Sequence, residues 1–329
     1  MQTKLRAAIA GTGSYLPKQV LTNADLERLV ATNNEWIVER TGIRERRVAA
    51  PEETTGSMAI EAGRLACRDA GLDPAELDLV IVATVTPDYV FPATACLVQA
   101  ALGAKRAGAF DLEAACSGFV YATQVAAGMI AAGIHRHVLV IGAETLTRIV
   151  DYTDRGTCIL FGDGAGAAVF SRSTGEAGVL FTRVASDGGM ADVLQIPAGG
   201  SKRPPSAETV AARQHFMVAE GRKVFKFATT AFVELVEEAL AACELTPDDV
   251  ALIVPHQVNE RIIDAAMKKL HLPPGKIYVN IDRYGNTSAA SVPIALDEAR
   301  REGKLKPGDI ALLLAFGAGL TWASAVVRM

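Results

Sequence analysis

Short apolar runs alternate with longer helical patterns along most of this chain. Leu77–Thr84 predicts a strand, Ala93–Leu102 a helix, Gly108–Leu112 a strand, Ser117–Ala132 a helix and His137–Ile141 a strand. That order predicts an α/β fold with mainly parallel strands. Ser117–Ala132 carries Phe119, Val120, Val125, Met129 and Ile130 with Ala and Gly between them, so it lacks a polar face and belongs inside. At the amino end, Ala7–Ala10 runs into Gly11-Thr12-Gly13 and predicts a strand ending in a turn.

The second half repeats the pattern with little identity of sequence. Val250–Pro255 predicts a strand, Asn259–Leu270 a helix, Ile277–Ile281 a strand, Ser288–Glu302 a helix closed by Gly303, and Ile310–Phe316 a strand. Each half ends in a hairpin-like pair around glycines, Phe161–Gly166 in the first and Phe316–Gly319 in the second. The chain is therefore read as a duplicated α/β unit, residues 1–172 and 173–329, with the boundary in the polar stretch Ser171–Gly175. Ser186–Thr209, rich in Gly, Pro and Ser, predicts a long loop or lid.

Composition narrows the classes. With 329 residues, 50% of them hydrophobic, the chain has enough apolar material for a large core, which excludes extended disorder. A net charge of −4 argues against a chain-wide nucleic-acid surface. No run approaches the roughly 18 apolar residues of a membrane span, and Met1–Pro17 lacks the form of a signal peptide. Five cysteines, odd in number and without C-x-x-C, point to a reducing compartment rather than a disulfide framework or zinc cluster. The reading is cytoplasmic.

Cys116 follows a strand and starts the buried helix. A helix N-terminus lowers a thiol's pKa and favours the nucleophilic thiolate, whereas the ordinary role of a free cysteine is a small core residue. Cys67, Cys96, Cys158 and Cys243 lie within helix or strand patterns and take that ordinary role. His256 ends the strand in Val254-Pro255-His256-Gln257, and Asn286 lies in the loop Tyr284-Gly285-Asn286-Thr287-Ser288. Strand ends are where α/β sheets place ligands. In the repeat register Asn286 falls near the counterpart of Cys116, so a pseudo-twofold axis brings the two helix starts together beside His256. Taken singly, His256 reads as a structural histidine and Asn286 as a turn residue or cap; taken together, they read as a site. Gly11-Thr12-Gly13 lacks a third glycine, and Phe161-Gly162-Asp163-Gly164-Ala165-Gly166 lacks the Lys-Ser/Thr of a phosphate loop; both predict tight backbone packing. No His, Asp and Glu cluster has metal-ligand spacing.

Arg40-Thr41-Gly42-Ile43-Arg44 after Glu35-Trp36-Ile37, Ala114-Ala115-Cys116-Ser117-Gly118-Phe119, the Phe161–Gly166 stretch, Pro255-His256-Gln257-Val258-Asn259, Gly285-Asn286-Thr287-Ser288-Ala289 and Phe316-Gly317-Ala318-Gly319 match one pattern. Nearly end to end, the chain resembles the β-ketoacyl-acyl carrier protein synthase III family, which initiates bacterial type II fatty acid synthesis. The resemblance implies the thiolase fold in five layers, αβαβα, and a homodimer. It implies a condensation of an acyl-CoA primer with malonyl-acyl carrier protein, with loss of carbon dioxide. Cys116 becomes the acyl-accepting nucleophile, and His256 and Asn286 stabilise the enolate. Backbone N–H groups of Cys116 and Ala318 form the oxyanion hole. Trp36 and Arg155 hold the coenzyme A adenine, Thr32 and Arg40 its polar end, and Phe91 closes the partner's acyl pocket. No added cofactor is implied, since the coenzyme A thioester is a substrate.

A basic patch for the acidic carrier protein is expected from Arg261 and Lys268, seven apart on one helix with Lys269 beside them, and from Arg222 and Lys226, four apart on another. Asp264 weakens it. Three other readings remain: acyl condensation or transfer in secondary metabolism on the same Cys-His-Asn set, a papain-like hydrolase with Cys, His and Asn in that order, and a binding protein with a dead site. A duplicated α/β unit speaks against the hydrolase. The presence of all three polar groups speaks against the dead site.

Overall fold

The computed structural model describes residues 5–329 other than Pro274, so the Met1–Lys4 part of the amino-terminal reading lies outside it. The first large sheet holds β1 (Arg6–Tyr15), β2 (Leu79–Ala83), β3 (Gly108–Leu112), β4 (His137–Thr145) and β5 (Asp163–Ser173), in the order β1-β5-β4-β2-β3. The second holds β6 (Gly178–Ser186), β7 (Leu252–Pro255), β8 (Ile310–Gly317) and β9 (Thr321–Arg328), in the order β7-β8-β9-β6. β2 is parallel to β3 and β4, and β7 to β8; the remaining pairs are antiparallel. A single parallel bridge from Ile277 to Ile253 stands at the free edge of β7, where β3 stands beside β2. Both sheets thus run in one spatial order.

Six helices clothe the sheets: α1 (Thr55–Asp69), α2 (Thr94–Leu102), α3 (Gly118–Ala131), α4 (Gly221–Ala242), α5 (Glu260–Leu270) and α6 (Ser291–Arg301). Strand alternation sorts the faces. Val80 and Val82 of β2 pack with Met58, Ala62 and Val98 of α1 and α2, while Leu79 and Ile81 face inward. The central core joins them to Phe119 and Val120 of α3, Val292 and Leu296 of α6, and Leu252, Leu313 and Ala325 of the second sheet. On the far side Ile253 and Leu312 pack under Phe232 of α4 and Ile263 of α5. The result is five layers, αβαβα, with α3 and α6 in the middle. No described helix is long and apolar enough to cross a membrane.

Five expectations change. The strands are not mainly parallel: four neighbouring pairs in the two large sheets are antiparallel and three parallel, because β5 and β9 each run against both of their neighbours. β1 continues through Gly11-Thr12-Gly13 to Tyr15 instead of turning, with an irregularity between Ile9 and Gly11. A Cβ on Gly13 would lie 2.5 Å from the Ala66 nitrogen of α1, so these glycines serve close packing of helix on strand. Ile277–Ile281 is no strand: the Gln257 side chain bonds the Tyr278 carbonyl and the Asn280 N–H, both at 3.0 Å, in place of a ladder. Ile281–Tyr284 then turns into a short helix. β4 and β5 pair, but the 146–162 connection separates them, so Phe161–Gly166 forms no hairpin; Phe316–Gly319 does, with Gly317 opposite Thr321. Within the expected loop 186–209 lie the turn Gly188–Val193 and the strand Leu194–Gln195, which pairs with Val218–Ala219.

Candidate active site

The middle-layer helices begin in tight turns, Ala115–Ser117 before α3 and Ser288–Ala290 before α6. Ala115 and Ser288 both take positive φ, 45° and 48°, a region that side chains other than glycine rarely enter. Cys116 stands in the first turn, 8% exposed. The β8–β9 hairpin lies against it: a Cβ on Gly317 would come within 2.6 Å of the Cys116 nitrogen, so only glycine lets the hairpin this close. Ala318 lines the same cavity as Cys116, about 420 Å³ in volume. Leu146, Ile149, Phe161 and Met217 form much of its wall, and Ala191, Leu194, Gln195 and Ile196 of the 186–209 segment cover it.

A second cavity of about 140 Å³ is lined by Cys116, His256 and Asn286 together, with Phe316 and Gly317. His256 follows β7, its N–H held by the Leu314 carbonyl at 2.8 Å. The ring is wholly buried, edge-on to Phe316, and burial drives its pKa down to about 3, so it is neutral. Nδ1 sits 2.6 Å from the Ser291 hydroxyl, and Nε2 has no partner among the described residues. Asn286 is fixed by the first half of the chain: its N–H donates to the Leu160 carbonyl at 2.9 Å, and its carbonyl accepts from Gly162 at 3.0 Å. Its side-chain Oδ1 accepts from the Ser288 N–H at 2.8 Å, which leaves the NH₂ as a donor for the cavity. The site offers a neutral imidazole nitrogen and an amide NH₂ beside one thiol.

The thiol departs from expectation. Burial pushes Cys116 up to about 12, and the carboxylates of Glu144 and Glu113 add to the rise; the Ser288 hydroxyl and the Cys116 N–H only partly oppose it. Burial and the two nearby carboxylates outweigh these hydrogen bonds, so the resting group is the neutral thiol. Cys67, Cys158 and Cys243 are raised as well, each mainly by burial, and Cys96 is exposed.

Elsewhere the structure gathers Trp36, Arg40 and Arg155: the two guanidinium groups lie 5.1 and 4.6 Å from the indole centroid. Arg155 also donates to the Ala31 carbonyl at 3.1 Å, next to Thr32, whose hydroxyl is buried without a partner among the described residues. Arg222 and Lys226 are exposed on the first turns of α4, where Gly221, Val224 and Phe225 line the smaller cavity. Arg261 is exposed at the start of α5, while Lys268 and Lys269 stand about 10 Å further along it, past exposed Asp264. Phe91 is 84% exposed beside Val90 at 94% and lines neither cavity within its own chain. No group of three or more metal-binding side chains occurs among the described residues.

Two polar residues at the site had gone unread. Glu144 is fully buried at the end of β4, pushed up to about 7 by burial, and accepts from Thr84, Val85 and Thr86. An acidic residue closing a strand at the ligand edge of the sheet was its signal. Ser291, five residues past Asn286, gave no signal in sequence.

The chain is matched over residues 110–188 by the model of 3-oxoacyl-(acyl-carrier-protein) synthase III and over residues 240–329 by that of the family's C-terminal part. A β-ketoacyl-(acyl-carrier-protein) synthase III from Caldanaerobacter subterraneus is 54% identical, covering 100% of this chain and 99% of that protein. Another, from Desulfitobacterium hafniense, is 55% identical over 97% of both. The crystal structure of 3-oxoacyl-(acyl-carrier-protein) synthase III from Aquifex aeolicus superposes with a TM-score of 0.91 at 49% identity, covering 98% of this chain and 100% of that one.

Proposed function

The chain belongs to the 3-oxoacyl-(acyl-carrier-protein) synthase III family, and on that basis we propose how its site carries out the reaction. It is a condensing enzyme that joins an acyl-CoA primer to malonyl-acyl carrier protein, with loss of carbon dioxide, and so starts fatty acid synthesis. Cys116 attacks the primer thioester, and its proton ends on the departing coenzyme A sulfur. A thioester leaves readily, so a thiol relieved of its proton on arrival of substrate suffices. The N–H groups of Cys116 and Ala318 hold the tetrahedral oxyanion. The malonyl thioester then enters, its carbonyl oxygen held by His256 Nε2–H and the Asn286 NH₂. Loss of carbon dioxide leaves an enolate there, which attacks acyl-Cys116 and frees the cysteine.

The observation that carries this reading is the shared lining of one small cavity by Cys116, His256 and Asn286. Both donors are neutral and buried, where a developing charge is met without rearranging water. Trp36 with its two arginines offers a flat cationic clamp for the adenine of coenzyme A, and Thr32 an unpaired hydroxyl. The exposed Val90–Phe91 tip fits a homodimer in which Phe91 closes the partner's acyl pocket. The protein works without an added cofactor, in the cytoplasm, and its halves are residues 1–172 and 173–329.

The test is a panel of acetyl- and short branched acyl-CoA primers assayed with malonyl-acyl carrier protein. We expect 3-oxoacyl-acyl carrier protein from at least one primer, with one carbon dioxide released per condensation. Acyl transfer without carbon dioxide release, or release of free acid faster than condensation, would overturn the reading.

A further inference from the structure

We propose that Glu113 sets which thioesters load Cys116: its negative charge in the wall of the larger cavity turns away acyl groups that end in a carboxylate and admits neutral ones. The inference rests on the acyl transfer to Cys116 assigned above.

Primer and malonyl extender are both thioesters, and both meet the same thiol. A malonyl group transferred to Cys116 forms the same sulfur–carbon bond as a primer does, the thiol proton leaving on the departing sulfur, and it occupies the site that the primer needs. The two cavities meet at Cys116 but differ in charge. Among the described residues lining the larger one, Glu113 alone carries a charge, in a wall formed otherwise by groups such as Val85, Leu146, Ile149 and Phe161. Among those lining the smaller one, where His256 and Asn286 stand, no side chain is acidic. A carboxylated acyl group therefore meets a like charge on the primer side and none on the extender side.

Glu113 is held beside the nucleophile. Its Oε1 accepts from the Ala115 N–H at 3.0 Å, one residue before Cys116, and its carboxylate is close enough to raise the Cys116 thiol. That bond by itself explains an acceptor here, since Ala115 lies at the start of a helix, where N–H groups lack partners in the chain. It does not explain a charge, because a glutamine would make the same bond. Nor does the charge serve the thiol, which it makes harder to ionise. Glu113 is exposed, so water screens it until an acyl chain fills the cavity and displaces that water. A second carboxylate arriving with that chain then faces a like charge, with no cation among the described lining residues to pair with it.

The experiment reads the mass of the Cys116 peptide after brief exposure of the full enzyme to acetyl-CoA, 4-methylpentanoyl-CoA or succinyl-CoA. Succinyl is the carboxylated probe because, unlike malonyl, it does not lose carbon dioxide; 4-methylpentanoyl has its shape without its charge. Wild-type enzyme should take acetyl readily and succinyl poorly. Glu113→Gln, which keeps the bond to Ala115 and drops the charge, should raise the ratio of succinyl to acetyl labelling on the order of tenfold. The ratio of 4-methylpentanoyl to acetyl should stay as in wild type. Glu113→Ala, with neither bond nor charge, should show the same gain for succinyl. An unchanged succinyl ratio in Glu113→Gln overturns the proposal, and so does an equal gain for 4-methylpentanoyl, which would mean a widened cavity. A gain in Glu113→Ala alone also overturns it, because the bond to Ala115 would then be the whole role of the residue. If wild-type Cys116 takes up neither neutral acyl group, the assigned reaction itself fails, which separates the two failures.

Discussion

Cys116 is a buried neutral thiol at the start of a middle-layer helix, and its reactivity is set by that burial more than by the helix. With the thiol raised to about 12, the thiolate fraction grows tenfold with each pH unit well above neutrality. Iodoacetamide alkylation of Cys116 should therefore keep rising from pH 7 to 9; a plateau below pH 8 would mean a lowered thiol after all. Acetyl-CoA should label Cys116 alone, and Cys116→Ser should lose nearly all condensation, since a hydroxyl without a strong base is a weaker nucleophile. Peptide mapping that places the acetyl group on Cys67, Cys96, Cys158 or Cys243 would refute this. His256→Ala and Asn286→Ala should each cut condensation on the order of 10²–10³ while sparing most acetyl labelling of Cys116. Together they should cost less than the sum, because both donors serve one oxygen. If His256→Ala abolishes labelling as completely as condensation, the histidine is instead the base for Cys116.

At the scale of elements, the starts of α4 and α5 line the smaller cavity, and the helix Asn34–Thr41 lies beside α5. The Asn259 side chain, capping α5, donates to the Arg40 carbonyl at 3.0 Å, so the basic helix and the tryptophan helix are tied together. Arg222 and Arg261 stand next to Gly221 and Ile262, which line the smaller cavity, and Lys268 and Lys269 lie farther along α5. Arg222→Glu with Arg261→Glu should raise KM for malonyl-acyl carrier protein severalfold and leave acetyl-CoA labelling unchanged. Adding Lys268→Glu should change less, because it stands beyond Asp264. Trp36→Ala should do the reverse, raising KM for acyl-CoA about tenfold through loss of stacking with Arg40 and Arg155. An equal effect of either change on both substrates would count against separate docking surfaces. The helices α3, α5 and α6 were legible in sequence because hydrophobic spacing is local. The missing strand at Ile277–Ile281 was not, because the Gln257 side chain, from another segment, takes the Tyr278 carbonyl and the Asn280 N–H and ends the ladder after one bridge.

Across the whole molecule, the two halves are joined by polar contacts as well as by the central apolar core. Asp297 of α6, 2% exposed, accepts from the Thr12 and Ser14 hydroxyls of β1 at 2.7 Å and pairs with Arg301 at 3.0 Å. Asp297→Ala leaves two hydroxyls without their acceptor and should cost about 2–3 kcal/mol. A lowered urea midpoint at unchanged m would bear this out, and an unchanged midpoint would refute it. The amino-acid sequence by itself determined the α/β alternation, the repeated order of elements and the motifs around Cys116, His256 and Asn286, since periodicity and turn chemistry act over a few residues. Tertiary structure alone decided the rest. It fixed the protonation of Cys116 and His256, because desolvation depends on everything packed around a group. It set Ser291 against His256 and Glu144 near Cys116, because each pair joins a strand end to a helix start about thirty residues away in the chain. And it carried β1 straight through its glycines, because the backbone of α1 lies directly against them.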